Sequence, residues 1–223
     1  MMPELYSVSK NHNKFYVVKN SKEISSNNQR FMFNSKKEAE SFIYKIMRLN
    51  CEISTDLLTL FYYSAKLSKN NTKKIIRLII ERLTFDNLLY LSPSDEELNE
   101  IIKKNYKKYV YIFEKEFNLK FKFIKNPLGF QKKLPSKNFK SYLNKLNNDQ
   151  ITVFFKFTQL TNSPILTYLF YEKNIDIERF YYLSNFEDIY NEKKWGLTQE
   201  KEIVNNNLKK TFKNLSNFFR LIL

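Results

Sequence analysis

The stretch SPSDEELNEIIKKNYKKYVYIFEKEFNLKFKFI, residues 92–124, places two structural periods side by side. Ser92 followed by Pro93 reads as a helix start with proline at the first position. Asp95, Glu96 and Glu97 then suit the positive end of the helix dipole. Leu98, Ile101, Ile102, Tyr109, Ile112 and Phe113 carry an apolar stripe at helical spacing, which predicts a helix to about Phe117. Behind it Leu119, Phe121 and Phe123 alternate with Lys120 and Lys122, the two-residue period of a strand with one wet face. A long helix answered by a short strand makes this a mixed chain in which helix dominates.

Upstream of this stretch the strand period governs residues 5–33. Tyr6-Ser7-Val8, Lys14-Phe15-Tyr16-Val17-Val18 and Arg30-Phe31-Met32-Phe33 are the expected strands, with turns at Asn20-Ser21 and Asn27-Asn28. Helical spacing then takes over behind a cap at Asn34 or Ser35. It runs through Ala39, Phe42, Ile43, Ile46 and Met47, through Leu57, Leu60, Phe61 and Ser64, and through Ile75, Ile76, Ile79, Ile80 and Leu83. Downstream, Pro127, Gly129 and Pro135 mark a loop. Helices are expected at about 136–147, 149–161, 164–173 and 176–190, with a last one from Thr198 to about Ile222. Its inward residues read as Ile203, Leu208, Phe212, Leu215, Phe219 and Ile222. The pattern is a small β-containing N-terminal part and a larger helical C-terminal part, with a change near residue 85.

Composition removes several classes of function. The 223 residues carry 38 Lys+Arg against 23 Asp+Glu, a net charge of +15. Two glycines, Gly129 and Gly196, are too few for a glycine-rich phosphate loop. A single cysteine, Cys51, excludes a disulfide framework, and a single histidine, His12, leaves no Cys/His zinc set. His12 between Asn11 and Asn13 reads as a turn residue, and Cys51 as a partly buried thiol. No apolar run approaches the roughly 18 residues of a membrane span. The first ten residues lack a secretory or transit signature. The reading is a soluble, intracellular, basic protein without catalytic machinery.

Charge is unevenly spread. Residues 101–150 hold thirteen lysines against Glu114, Glu116 and Asp149, a balance of +10. Lys103, Lys104, Lys107, Lys108, Lys120, Lys122, Lys125, Lys132 and Lys133, with Tyr106 and Tyr109 interleaved, form the pattern of a nucleic-acid surface. The alternative is a solvated face in a lysine-biased chain: Lys outnumbers Arg by 32 to 6, as an AT-rich genome produces. Glu187 and Asp188 are adjacent carboxylates, but neighbours on a helix diverge by about 100° and do not form an acid/base pair. Trp195-Gly196 is the sole tryptophan followed by a rare glycine. It reads as a helix C-terminal cap with Gly196 left-handed and Trp195 folded onto the core.

The run from Gln159 through Leu160, Thr161, Ser163, Ile165, Leu166 and Leu169, then Ser184-Asn185-Phe186-Glu187-Asp188-Ile189-Tyr190 and Lys194-Trp195-Gly196, is similar to a known pattern. It resembles the family of assembly chaperones specific for the alpha subunit of the F-type ATP synthase. Thr84-Phe85-Asp86-Asn87-Leu88-Leu89-Tyr90 resembles that family's Gly-Thr-Asp-Leu-Leu-x-Tyr segment. Tyr106 to Asn118, Leu119–Ile124 and Pro127 resemble its long helix, strand and proline. Asn191 stands where the family usually has Gln, and Asn20-Ser21 where its first hairpin has Asp-Gly.

The resemblance implies an α+β fold: a mixed α/β N-terminal domain over 1–85, which strand 119–124 can join, and a larger orthogonal helical bundle over 86–223. It implies no catalytic residue, no cofactor and no metal. The implied partner is the unassembled alpha subunit, whose apolar interface the chain shields until the beta subunit displaces it. Glu187 and Asp188 are the implied client-binding carboxylates, with Tyr190, Trp195 and Gly196 beside them. The expected protein is a monomer of the bacterial cytoplasm, the mitochondrial matrix being the alternative compartment, with no specific nucleic acid and no membrane insertion. The alternative, from charge alone, is a basic helical nucleic-acid-binding protein.

Overall fold

The computed structural model describes residues 6–26, 29–49, 54–131 and 134–223, which form two compact units divided between Leu67 and Ser68. The expected turn at Asn27-Asn28 and the thiol of Cys51 lie outside the described residues, as do Lys132 and Lys133. The fold class is α+β.

In the first unit β1 (Tyr6–Asn11) and β2 (Lys14–Lys19) form an antiparallel hairpin in which Val8 faces Val17. His12 and Asn13 close it with φ of 44° and 59°, the positive values that a two-residue hairpin turn with the strands' own twist demands. Asn20 and Ser21 turn the chain the same way, with φ of 48° and 66°, into β3 (Lys22–Glu23). The short pieces β4 (Ser25–Ser26) and β5 (Gln29–Arg30) pair with each other, and β6 (Met32–Phe33) pairs with β2.

Ser35 caps α1 (Lys36–Met47) by accepting the Glu38 N–H at 3.2 Å, and Ser54 caps α2 (Thr55–Ala65). Both helices cover the sheet with Ala39, Phe42, Ile43, Ile46, Leu57, Leu58 and Phe61, all buried. Tyr62 stacks flat on Phe31 at 4.6 Å. Its hydroxyl accepts the Met32 N–H and donates to the Met32 carbonyl, so a helix side chain pins the last strand.

The second unit holds α3 (Lys69–Leu83), a single 3-10 turn at Asn87–Leu89, α4 (Glu96–Phe117), α5 (Lys137–Lys145), α6 (Asn148–Thr161), α7 (Pro164–Tyr171), α8 (Ile177–Ser184), α9 (Phe186–Trp195) and α10 (Gln199–Ile222). The division falls ahead of α3, whereas the sequence places the change near residue 85. The difference is α3 itself, whose Ile76, Ile79 and Leu83 are buried where it packs on α5, α6 and α7. The core is aromatic. Phe113, Phe117, Phe139, Phe154 and Tyr168 lie ring against ring, and Phe157, Phe170, Phe180 and Phe212 form a second set.

Several expectations need correction. The segment Leu119–Ile124 is extended but is no strand: it makes one parallel bridge, Tyr90 to Ile124, and lies in the second unit. Side chains take the place of a ladder there. Glu114 accepts the Phe121 N–H at 2.7 Å, and the amide of Gln131 meets both backbone groups of Lys122. Second, α4 begins at Glu96, because Asp95 caps the Leu98 N–H at 2.9 Å; Ser92-Pro93 form the turn before it. Third, the helix expected over 176–190 is two, broken at Asn185, whose amide donates back to the Tyr181 carbonyl at 2.9 Å. In α10 Ile203 is exposed, and burial begins only at Phe212.

Candidate functional site

The segment after α3 is sewn into the helical unit by its side chains. Asp86 is completely buried. One carboxylate oxygen accepts the Leu88 N–H at 3.0 Å and the other accepts the Ile165 N–H at 2.9 Å, with the Ser163 hydroxyl as a third partner. Asp86 therefore starts the 3-10 turn and also sits at the N-terminus of α7, where unsatisfied N–H groups and the helix dipole both favour an acceptor. Asn87 completes the seam, with its N–H on the Asn162 carbonyl at 3.1 Å and its amide on the Thr161 carbonyl. Burial pushes the Asp86 carboxyl up to about 7, against the opposite pull of the three hydrogen bonds and the Arg82 charge.

Beside this seam lies a cavity of about 180 Å³ whose walls include Asn87, Tyr90, Tyr106, Leu183 and Glu187. The Tyr106 hydroxyl donates to the Leu183 carbonyl at 2.8 Å, fixing the end of α8 just before α9 departs. Burial, and after it the charge of Glu187, raises the Tyr106 phenol. Glu187 thus marks the mouth of a polar pocket whose wall is the Asn87 seam.

The five residues expected at a client surface lie together on α9 or one position beyond it, a helix whose single buried residue is Phe186. Glu187 and Asp188 are both exposed. Asp188 is engaged by Lys201 of α10 at 3.0 Å, and Asn205 of α10 donates to Glu192 at 2.8 Å, so α9 is strapped to the start of α10. Lys194 reaches Asp95 at the N-terminus of α4 at 3.4 Å and also lies over the rings of Tyr190 and Trp195. Gly196 has φ of 90° and ψ of 164°. Its φ is positive as expected, but that ψ is the extended, glycine-only region, not the left-handed helical one.

Trp195 is 77% exposed, which corrects the expectation of a core tryptophan. Trp195 is the last residue of α9, a helix that buries only Phe186, so the indole stays on the solvent side. Trp195→Ala is therefore expected to move stability by less than about 0.5 kcal/mol. As the only tryptophan in the chain, its emission checks this: acrylamide should quench it nearly as effectively in the native protein as in denaturant, and strong protection in the native state would place the indole inside.

The lysine-rich third does not form the aromatic platform its sequence suggests. Tyr106 and Tyr109 are buried, and the Tyr109 hydroxyl accepts from Arg179 at 3.0 Å. Lys103 and Lys120 pair with Glu100 and Glu114, and Lys125 with Glu96. Among the described residues no three His, Cys, Asp or Glu side chains gather where a metal ion could be held, and no helix is long and apolar enough to cross a membrane.

Sequence reasoning found the segment around Asp86 but not its role. The helix start at Pro164 was legible, whereas the Asp86 carboxylate reaching it from far upstream follows only from the tertiary structure.

A small sheet unit followed by an all-helical unit, joined ahead of α3, defines the class of fold. The same fold occurs in Atp12 from Paracoccus denitrificans, with a TM-score of 0.64 at 15% identity over 97% of this chain and 95% of that one. A point mutant of P. denitrificans Atp12p aligns with a TM-score of 0.66 at 15% identity over 97% and 94%. The Atu1473 protein of Agrobacterium tumefaciens, described as a candidate chaperone, gives 0.70 at 13% identity over 98% and 84%. No protein-family model and no curated protein matches the sequence.

Proposed function

We propose that this protein is an assembly chaperone that holds the unassembled alpha subunit of the F-type ATP synthase and yields it to the beta subunit. The observation that carries the reading is the coincidence of an Atp12 fold over 97% of the chain with the collinear motifs at Thr84–Tyr90 and Phe186–Gly196. Surface chemistry supports it. Trp195, Leu197, Ile203 and Val204 are exposed within ten residues of one another along the chain, beside the carboxylates of α9. An exposed apolar set rimmed by charge suits a protein-binding surface. A folded holdase that covers an apolar face by such a set, over about 800 Å² or more per partner, releases it by competition without a nucleotide. This reading is of a binding protein and not of an enzyme.

Co-expression with the separate alpha and beta subunits tests it: the chain retains alpha through purification and does not retain beta. Retention of both subunits to the same extent, or of neither, contradicts the proposal.

Within this reading Glu187 is the carboxylate presented to the client, since Asp188 is already held by Lys201. Glu187→Gln keeps the shape of an exposed side chain, so stability changes by less than about 0.5 kcal/mol while protection of alpha subunit falls. An unchanged melting temperature together with full protection would remove Glu187 from the client surface.

A further inference from the structure

Away from the α9 surface, α8 and α10 leave a groove of about 460 Å³ between them. One wall is a continuous stripe of α10: Lys209, Phe212, Lys213, Ser216, Asn217 and Arg220, at spacings of three and four residues. The opposite wall is Ile177, Glu178 and Tyr181 of α8. The floor is apolar, since Phe212 is buried and the half-buried Tyr181 meets it edge-on at 5.3 Å. Three cations therefore stand along a hydrophobic cleft against one carboxylate. Lys213 and Arg220 have no ion-pair partner among the described residues, and Lys209 lies over the Tyr181 ring at 5.7 Å.

From this geometry we infer that the groove binds an acidic amphipathic helical segment of a protein partner. The apolar side of that segment lies on the half-buried Ile177 and the edge of Tyr181, above the buried Phe212, and its carboxylates meet Lys209, Lys213 and Arg220. The stripe from Lys209 to Arg220 rises about 16 Å, the length of three helical turns, so the occupant is a segment of about that length. Charge complementarity sets its sign, because a neutral or basic segment would leave the cations facing an apolar ligand without compensation. Nucleic acid shares the charge but not the fit: Lys209 covers the Tyr181 face and Phe212 is buried, so no ring is open for a base to stack on. The inference concerns a second surface and does not depend on the identity of the client proposed above.

The test uses the full chain and a fluorescein-labelled 15-residue peptide with Leu along one helical face and Glu along the next, read by anisotropy at physiological salt. A short groove-bound helix is expected to bind with a Kd on the order of 10 µM. Lys213→Glu combined with Arg220→Glu weakens binding by about tenfold or more, since each change replaces an attraction with a repulsion. Lys104→Glu with Lys107→Glu changes net charge equally on exposed positions of α4 and leaves the affinity within about twofold. All four positions are exposed, so the melting temperature shows whether each variant is folded. A scrambled peptide of the same composition binds at least tenfold more weakly. Equal weakening by the two double variants, or equal binding of the scrambled peptide, overturns the proposal by reducing it to net charge. A labelled 15-nucleotide oligo-dT that binds more tightly than the peptide, and loses that binding in the groove variant, overturns it in favour of nucleic acid.

Discussion

Asp86→Ala is expected to destabilise the helical unit by about 3–5 kcal/mol, because it leaves the Leu88 and Ile165 N–H groups and the Ser163 hydroxyl buried with no acceptor. For a unit of this size that is a fall in melting temperature on the order of 10 °C. The loss depends on pH in a direction the structure dictates. Burial raises the folded carboxyl to about 7, above the ordinary 3.8, so the folded state holds the proton more tightly than the unfolded chain does. The stabilising contribution of this proton is complete below about pH 4, is lost progressively as pH rises towards 7, and is gone above it. The full span is on the order of 4 kcal/mol. Urea midpoints of the native protein should therefore fall between pH 5 and pH 8, and Asp86→Asn, which cannot ionise, should flatten that slope. The Asp86→Ala penalty should be larger at pH 5 than at pH 8. Parallel profiles for the native protein and Asp86→Asn would show that the carboxyl titrates as it does in the unfolded chain.

Phe113→Ala is the second large effect. The ring is fully buried on α4, with Phe117 at 4.7 Å, Phe139 at 5.1 Å, Tyr168 at 5.3 Å and Phe121 at 6.1 Å between centroids. Removing it empties a site walled by rigid aromatics that cannot collapse, so the cost is about 3–5 kcal/mol. Tyr111→Ala on the exposed side of the same helix should cost less than about 0.5 kcal/mol. Denaturant midpoints for the two variants at fixed slope give the comparison. Similar losses would mean that α4 does not bury the face described.

Much of the fold was readable in advance from local periods and turn chemistry. The hairpin turns at His12-Asn13 and Asn20-Ser21, the cap at Ser35, the helix start at Pro164 and the buried stripe of α3 all express local rules. Reading failed where a distant group overrides the local one. Leu119–Ile124 has a strand's alternation, but Gln131 and Glu114 take its backbone groups, so no ladder forms. Trp195 has the size of a core residue, but it ends a helix that buries only Phe186.

The candidate surface divides in the same way. The acidic and aromatic residues of α9 stand out in the chain. The strap from Lys201 to Asp188, which leaves Glu187 as the carboxylate without that tether, needs the packing of α10 against α9. The α8–α10 groove likewise depends on two stripes that are unremarkable separately.

A chaperone of this kind is selective for one client. Light scattering of purified alpha subunit, diluted from denaturant with an equimolar amount of this chain, tests it most directly, with beta subunit and an unrelated aggregating protein diluted in parallel. Only the alpha subunit is expected to stay in solution, and adding beta subunit should then displace the chain from it. Equal protection of all three proteins, or protection of none, would contradict it.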